Sequence, residues 1–160
     1  MNEVLIKSRD ILENVTPLRV DCGRICGDAC CKSGGDELGM YLFPHEEELI
    51  GGGFTIKDAG GAMKGEKICV CNGSCDRKTR PLSCRIFPLA FSLKSGKPEI
   101  ETDVRAWPVC PLMNSGLDGM LPEFRKRVYE ALLLLWNDEE SKSFMIKLDR
   151  ELESYRTLTL

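Results

Sequence analysis

"RICGDACCKSGG", residues 24–35, holds three of the chain's nine cysteines, two of them adjacent, and Cys22 stands just ahead of it. Thiols crowded this closely are crosslinks, small apolar core fillers, or ligands for a soft metal. The choice decides the fold. A stretch tied to a metal follows its ligands more than its helix or strand propensities.

Composition narrows the choice. At 160 residues the chain suits one domain with an ordinary hydrophobic core. Apolar residues make up 42% and charged residues 29%, a soluble globular balance. A net charge of −3 argues against a nucleic-acid surface. No apolar run approaches the roughly 18 residues that span a bilayer. The opening "MNEVLIKSRDILENV" carries charge at almost every turn and has no apolar h-region, so it does not read as a signal peptide. The expectation is a cytoplasmic protein. An odd cysteine count without an export signal weighs against a disulfide framework, and in a reducing compartment the same residues read as metal-binding or redox-active.

Working outward, Val4, Leu5, Ile11, Leu12 and Val15 have helical spacing, so a helix is expected over 3–15, closed by Pro17. Residues 18–37 are rich in Gly and Cys and read as irregular; Gly27, Gly34 and Gly35 supply the backbone freedom such a loop needs. "GMYLFP" (39–44) reads as a short strand and "HEEELI" as a helical turn or two. The Gly-rich 51–61 reads as loop with room for one short strand. "LAFSLK" and "EIETDVR" flank "SGKP", a hairpin signal. From Pro122, "PEFRKRVYEALLLLW" places Phe124, Val128, Ala131, Leu132 and Leu135 on one helical side. A second helix follows, with Asp138 as N-cap and Ser141 as the alternative. The expected fold class is α+β. It is a single small domain over 1–160, with helices at both ends around a loop-rich cysteine/metal core (20–112) and a short β-hairpin. Residues 120–157 form its C-terminal helical pair.

The cysteines fall as Cys22-x3-Cys26-x3-Cys30-Cys31, then Cys69-x1-Cys71-x3-Cys75-x8-Cys84, then Cys110. Two clusters and a late single cysteine predict a site assembled by tertiary folding. Thiolates take zinc, Cu(I) or iron–sulfur clusters. A zinc site uses four ligands, so nine thiols exceed one site and suffice for two. His45 is the sole histidine, which all but excludes mixed Cys₂His₂ chemistry. Thiolate-only supply favours an iron–sulfur cluster, [4Fe-4S] first, over zinc. In an extended backbone Cys30 and Cys31 point oppositely, so they serve two metals, or one ligates while the other packs. Four thiolates leave either centre a net charge of about −2. Arg77, Lys78, Arg80 and Arg85 stand ready to offset it, with Arg80 and Arg85 as hydrogen-bonding partners of the sulfurs. The alternative is a solvated basic face.

"RPLSCRIFP" (80–88), preceded by "NGSC" and by a cluster ending in a double cysteine, resembles the YkgJ-type family of CxxCxxCC cysteine-cluster proteins. Its pattern runs from a cysteine run ending in CC, through a strand and acidic helix and a cysteine pair, to RPxxCRxxP and a late Cys-Pro. Here these features fall on Cys22, Cys26, Cys30 and Cys31, "LFPHEEELI", Cys69 or Cys71, Cys75, Arg80, Pro81, Cys84, Arg85, Pro88 and Cys110-Pro111. The first cluster is spaced x3 and x3 where the family name implies x2 and x2. The resemblance covers roughly residues 20–112 and implies zinc or iron chelation by eight cysteines, one of Cys69 and Cys71 being extra. The family includes flagellin lysine N-methylases. That implies, as the alternative function, a protein lysine N-methylase or an accessory subunit of one, although the chain has no S-adenosylmethionine pocket motif.

Other features have plainer readings. Glu46, Glu47 and Glu48 beside His45 suit a helix N-terminus better than a metal or acid–base site. Asp36 and Glu37 read as exposed turn charges, and Trp107 as core or as a shield over the site. "LLLLW" (132–136) is either a deeply buried helix or half of one that faces a protein partner. The expected function is a metal-binding protein with a binding or redox role. Its partner is a metal ion or cluster, with no nucleic acid and no membrane.

Overall fold

The structure is a computed structural model and describes residues 2–32 and 39–158. Readings placed on Gly34, Gly35, Asp36 and Glu37 lie outside the described residues. The fold is α+β, with helices at both ends and short antiparallel sheets between them.

Helix α1 (Glu3–Ile11) is capped by the Asn2 side chain, which accepts from the Val4 and Leu5 amides. It ends four residues before the expected Val15. The Arg77 guanidinium takes the Glu13 and Val15 carbonyls, so the chain leaves the helix to serve them. The stretch expected to be irregular contains two helical turns, α2 (Gly23–Cys26) and α3 (Ala29–Lys32). Gly27 between them sits at φ 64°, the left-handed conformation that ends α2.

Strand β1 (Met40–Leu42), β2 (Phe54–Asp58) and β3 (Lys67–Cys71) form an antiparallel sheet in the order β1-β3-β2. Met40 pairs with Cys69 on one side of β3, and Ile56 pairs with Cys69 on the other. β3 is therefore the central strand, which the sequence reading left without an element. Residues 46–48 make a single 3₁₀ turn. Helix α4 (Leu82–Ile86) carries Cys84, and the expected hairpin follows as β4 (Leu89–Ser92) and β5 (Glu99–Thr102).

Helices α5 (Pro122–Trp136) and α6 (Glu139–Leu158) close the chain, and α1 packs on α5. Asp138 caps α6, accepting from the Ser141 amide at 3.0 Å. The five α5 residues expected on one side are all buried. Leu132 and Leu135 of the "LLLLW" run point into the core, so that run is internal packing at those positions. One hydrophobic cluster joins Leu5 and Leu12 to Phe43, Leu82, Phe91, Phe124, Phe144 and Leu148, bringing both ends of the chain together. Phe43 and Phe144 rings lie 4.7 Å apart between centroids. Trp107, by contrast, is 60% exposed and is not core.

A charged frame crosses this core. Glu46 is fully buried and accepts from Arg9 Nη1 at 2.6 Å, the Leu82 amide at 2.5 Å and the Phe43 amide at 3.1 Å. Burial pushes its carboxyl pKa up, while the Leu82 amide, Arg9 and the Phe43 amide pull it back. Arg85 donates to the carbonyls of Arg80 (3.0 Å), Arg9 (2.9 Å) and Lys78 (2.6 Å). Glu46→Gln leaves Arg9 buried without a counter-charge and is expected to cost about 3–5 kcal/mol. The measurement is the urea midpoint at unchanged slope. A loss under about 1 kcal/mol, as for an exposed pair, would show that the frame does not hold the fold.

Candidate metal centre

All nine cysteines lie among the described residues and all are free thiols. Short elements place them. Cys22 precedes α2 and Cys26 ends it, Cys30 and Cys31 sit in α3, and Cys69 and Cys71 sit on β3. Cys75 lies in the loop after β3, Cys84 in α4, and Cys110 just before the 3₁₀ turn Pro111–Asn114.

Tertiary folding distributes these thiols over two cavities. A cavity of about 850 Å³ is lined by Cys30, Cys31, Cys69, Cys71, Cys75 and Cys84, together with Arg80 and Phe87. A second, of about 30 Å³, is lined by Cys22, Cys26, Cys30 and Cys110 with an otherwise apolar wall that includes Leu18, Ile25 and Val109. Cys69 and Cys71 reach the same cavity because residues two apart on a strand share a face. Cys30 and Cys31 are not in extended backbone as expected. In a helical turn their side chains are about 100° apart, and Cys30 borders both cavities while Cys31 borders the large one.

Electrostatics show which thiols are neighbours. Burial pushes the Cys84 thiol well up, and Cys69, Cys31 and Cys75 add to the effect. Burial likewise raises Cys69 to about 12, reinforced by Glu46, Cys71 and Cys75. Cys31 is pushed up to about 12, first by its hydrogen bond to Cys30, while a hydrogen bond from Cys75 opposes the rise. Cys75 is raised by its bond to Cys31 and by burial, against the Arg80 guanidinium. In the small cavity burial raises Cys22, helped by Asp21, Cys26 and Cys110 and opposed by Arg80. Burial also raises Cys110, with the Leu112 amide opposing and Cys26 adding. Burial and neighbouring thiols thus hold Cys22, Cys31, Cys69, Cys75, Cys84 and Cys110 back from ionising. Among the described residues, no three His, Cys, Asp or Glu side chains already form a group that could hold a metal ion.

Of the four basic residues expected around the thiols, Arg80 has a hydrogen bond to sulfur among the described residues, Nε to Cys75 Sγ at 3.2 Å. Arg85 instead spends its guanidinium on three backbone carbonyls, and Arg77 on two. Their role is to hold the 77–81 loop that presents Arg80. The plain reading of the three glutamates missed Glu46, whose carboxylate meets the first amide of α4. A signal existed in α1: Arg9 lies on the helix face that carries Leu5 and Leu12, where a charge needs a buried partner. His45 pairs with Glu140 at 3.2 Å on the surface.

No family model matches the chain, nor does any curated protein or solved structure. No helix among the described residues is long and apolar enough to cross a membrane.

A thiol alkylates as its thiolate. With Cys69 at about 12 in the metal-free chain, its thiolate fraction still climbs about tenfold per pH unit between about pH 8 and pH 10, where an ordinary cysteine of about 8.5 levels off. Iodoacetamide labelling read at Cys69 by mass spectrometry is expected to show that climb. A plateau above about pH 9 would contradict the burial and crowding described.

Proposed function

We propose that this chain is a metal-binding protein whose cysteines hold a thiolate-ligated centre, an iron–sulfur cluster ahead of zinc, for a binding or redox role. The observation that carries this reading is the large cavity. Thiols from two stretches nearly forty residues apart in sequence, at Cys30 and Cys31 and between Cys69 and Cys84, line one space.

Donor chemistry supports it. The set is all sulfur, the preference of soft and borderline metals, and the sole histidine is engaged elsewhere. The Arg80 N–H aimed at a sulfur is the kind of contact that stabilises thiolate on a metal and tunes a cluster's potential. The resemblance of "RPLSCRIFP" to the YkgJ-type family points the same way. A bound cluster would supply one-electron chemistry, and bound zinc a structural crosslink. The chain's own residues have defined parts: Cys31, Cys69, Cys75 and Cys84 would be ligands, and Arg80 would offset their charge. Arg85 and the Arg9–Glu46 pair keep α4 and its Cys84 in place. Metal binding draws the thiols together as it displaces their protons, so its free energy adds to folding.

Protein purified anaerobically is expected to contain iron and acid-labile sulfide, with broad visible absorption that bleaches on reduction. Zinc alone would select the alternative metal, and a stable fold with neither metal would overturn the reading. Removing the metal is expected to lower the thermal midpoint, which calorimetry of loaded and stripped protein would register; equal midpoints would contradict the coupling.

A further inference from the structure

We infer that the large cavity also binds a small organic carboxylate with an apolar body, held by Arg105 on the face of the sheet opposite Cys69 and Cys71. This site does not depend on the metal-binding reading.

The sheet sorts the lining of the cavity into two faces. Phe54 stands opposite Cys71 and Ile56 opposite Cys69, so these four side chains share one face. Thr55 stands opposite Val70 and Lys57 opposite Ile68, on the other face. Tyr41, paired with Ile68, belongs to that second face. Its hydroxyl reaches Glu151 Oε1 of α6 at 3.4 Å, and Tyr155, one turn further along α6, donates to the same oxygen at 3.3 Å. The 3₁₀ turn Val104–Ala106 packs on α6 and brings Arg105 beside both phenols. Thr55, Lys57, Val70, Arg105 and Tyr155 all line the cavity.

Arg105 is held ready for a ligand. Asp103, only 1% exposed, accepts from its Nε at 3.0 Å and its Nη2 at 2.6 Å. Nη1 has no hydrogen-bond partner among the described residues. A guanidinium pinned along one edge keeps its other edge in the fork geometry that a carboxylate takes. The ligand meets little repulsion. Lys32, Lys57, Arg80 and Arg105 line the cavity, and no Asp or Glu does among the described residues. That inverts the balance of a chain with 25 acidic and 22 basic side chains. Arg80 is turned to Cys75, which leaves Arg105 as the anchor. Asp103 offsets part of its charge, so one negative charge suits it better than a phosphate dianion. Val70, Pro108 and Val109 supply apolar wall for the body of the ligand. A volume of about 850 Å³ falls within the range of small-molecule sites.

The test is calorimetric titration of the reduced, as-purified protein with phenylbutyrate, its neutral amide and phenylbutylammonium. The carboxylate is expected to bind saturably, the amide about tenfold or more weaker, and the ammonium not at all. Arg105→Lys keeps a partner for Asp103 but loses the fork, and should weaken the carboxylate about tenfold. Thr55→Glu, on the exposed edge strand, should weaken the carboxylate and leave the amide unchanged. Equal binding of carboxylate and amide, no saturable binding of the carboxylate, or unchanged affinity in Arg105→Lys would overturn the site. If circular dichroism shows Arg105→Lys unfolded, unchanged affinity in Thr55→Glu overturns it instead. Metal is counted separately in each preparation. Failure here therefore leaves the metal reading standing, and carboxylate binding by protein without metal would keep this site if that reading fails.

Discussion

The buried pair of Arg9 and Glu46 holds together the parts of the chain that matter most. One carboxylate joins α1, the turn after β1 and the first amide of α4, and Arg85 returns from α4 to the Arg9 carbonyl. Such a pair contributes little net stability against an apolar replacement, but a partner left alone in the core is costly. Its effect is therefore positional. It admits one arrangement of α1, the 77–81 loop and α4, and that arrangement fixes where Cys84 and Arg80 stand.

Around this frame the apolar core and the thiols divide the work. The core draws on both ends of the chain, α1 with α5 and α6, and none of its fully buried members is a cysteine. The cysteines sit on short pieces: two one-turn helices, a five-residue strand, a loop and a five-residue helix. Such pieces bury little apolar area of their own and gain order from whatever joins them. A thiolate-bound metal joins pieces of that kind, since each thiol that loses its proton to a metal adds to the cost of separating the segments.

What the residues revealed in advance follows from how local each signal is. The α5 stripe from Phe124 to Leu135, the Asp138 cap and the β4–β5 hairpin depend on neighbours within a few positions, and each is present as read. The end of α1 depends on Arg77, more than sixty residues away, and no local pattern announces it. Nor does spacing tell Glu46 from Glu47 and Glu48; only the fold buries one of the three. The grouping of cysteines was visible, but the shared face of Cys69 and Cys71 was not, because no strand was read over the stretch that forms β3. The backbone at Cys30 and Cys31 was read as extended and is instead a helical turn. The part expected of Arg85 as a partner of sulfur failed for a similar reason: a guanidinium close to a cysteine in sequence found better acceptors in backbone carbonyls.

Sulfur as the sole donor is the claim on which the rest of the functional account stands. X-ray absorption at the metal edge of the anaerobically purified protein tests it most directly. The account predicts an inner shell of sulfur alone, at about 2.3 Å for zinc. An inner shell made mainly of nitrogen or oxygen would contradict it.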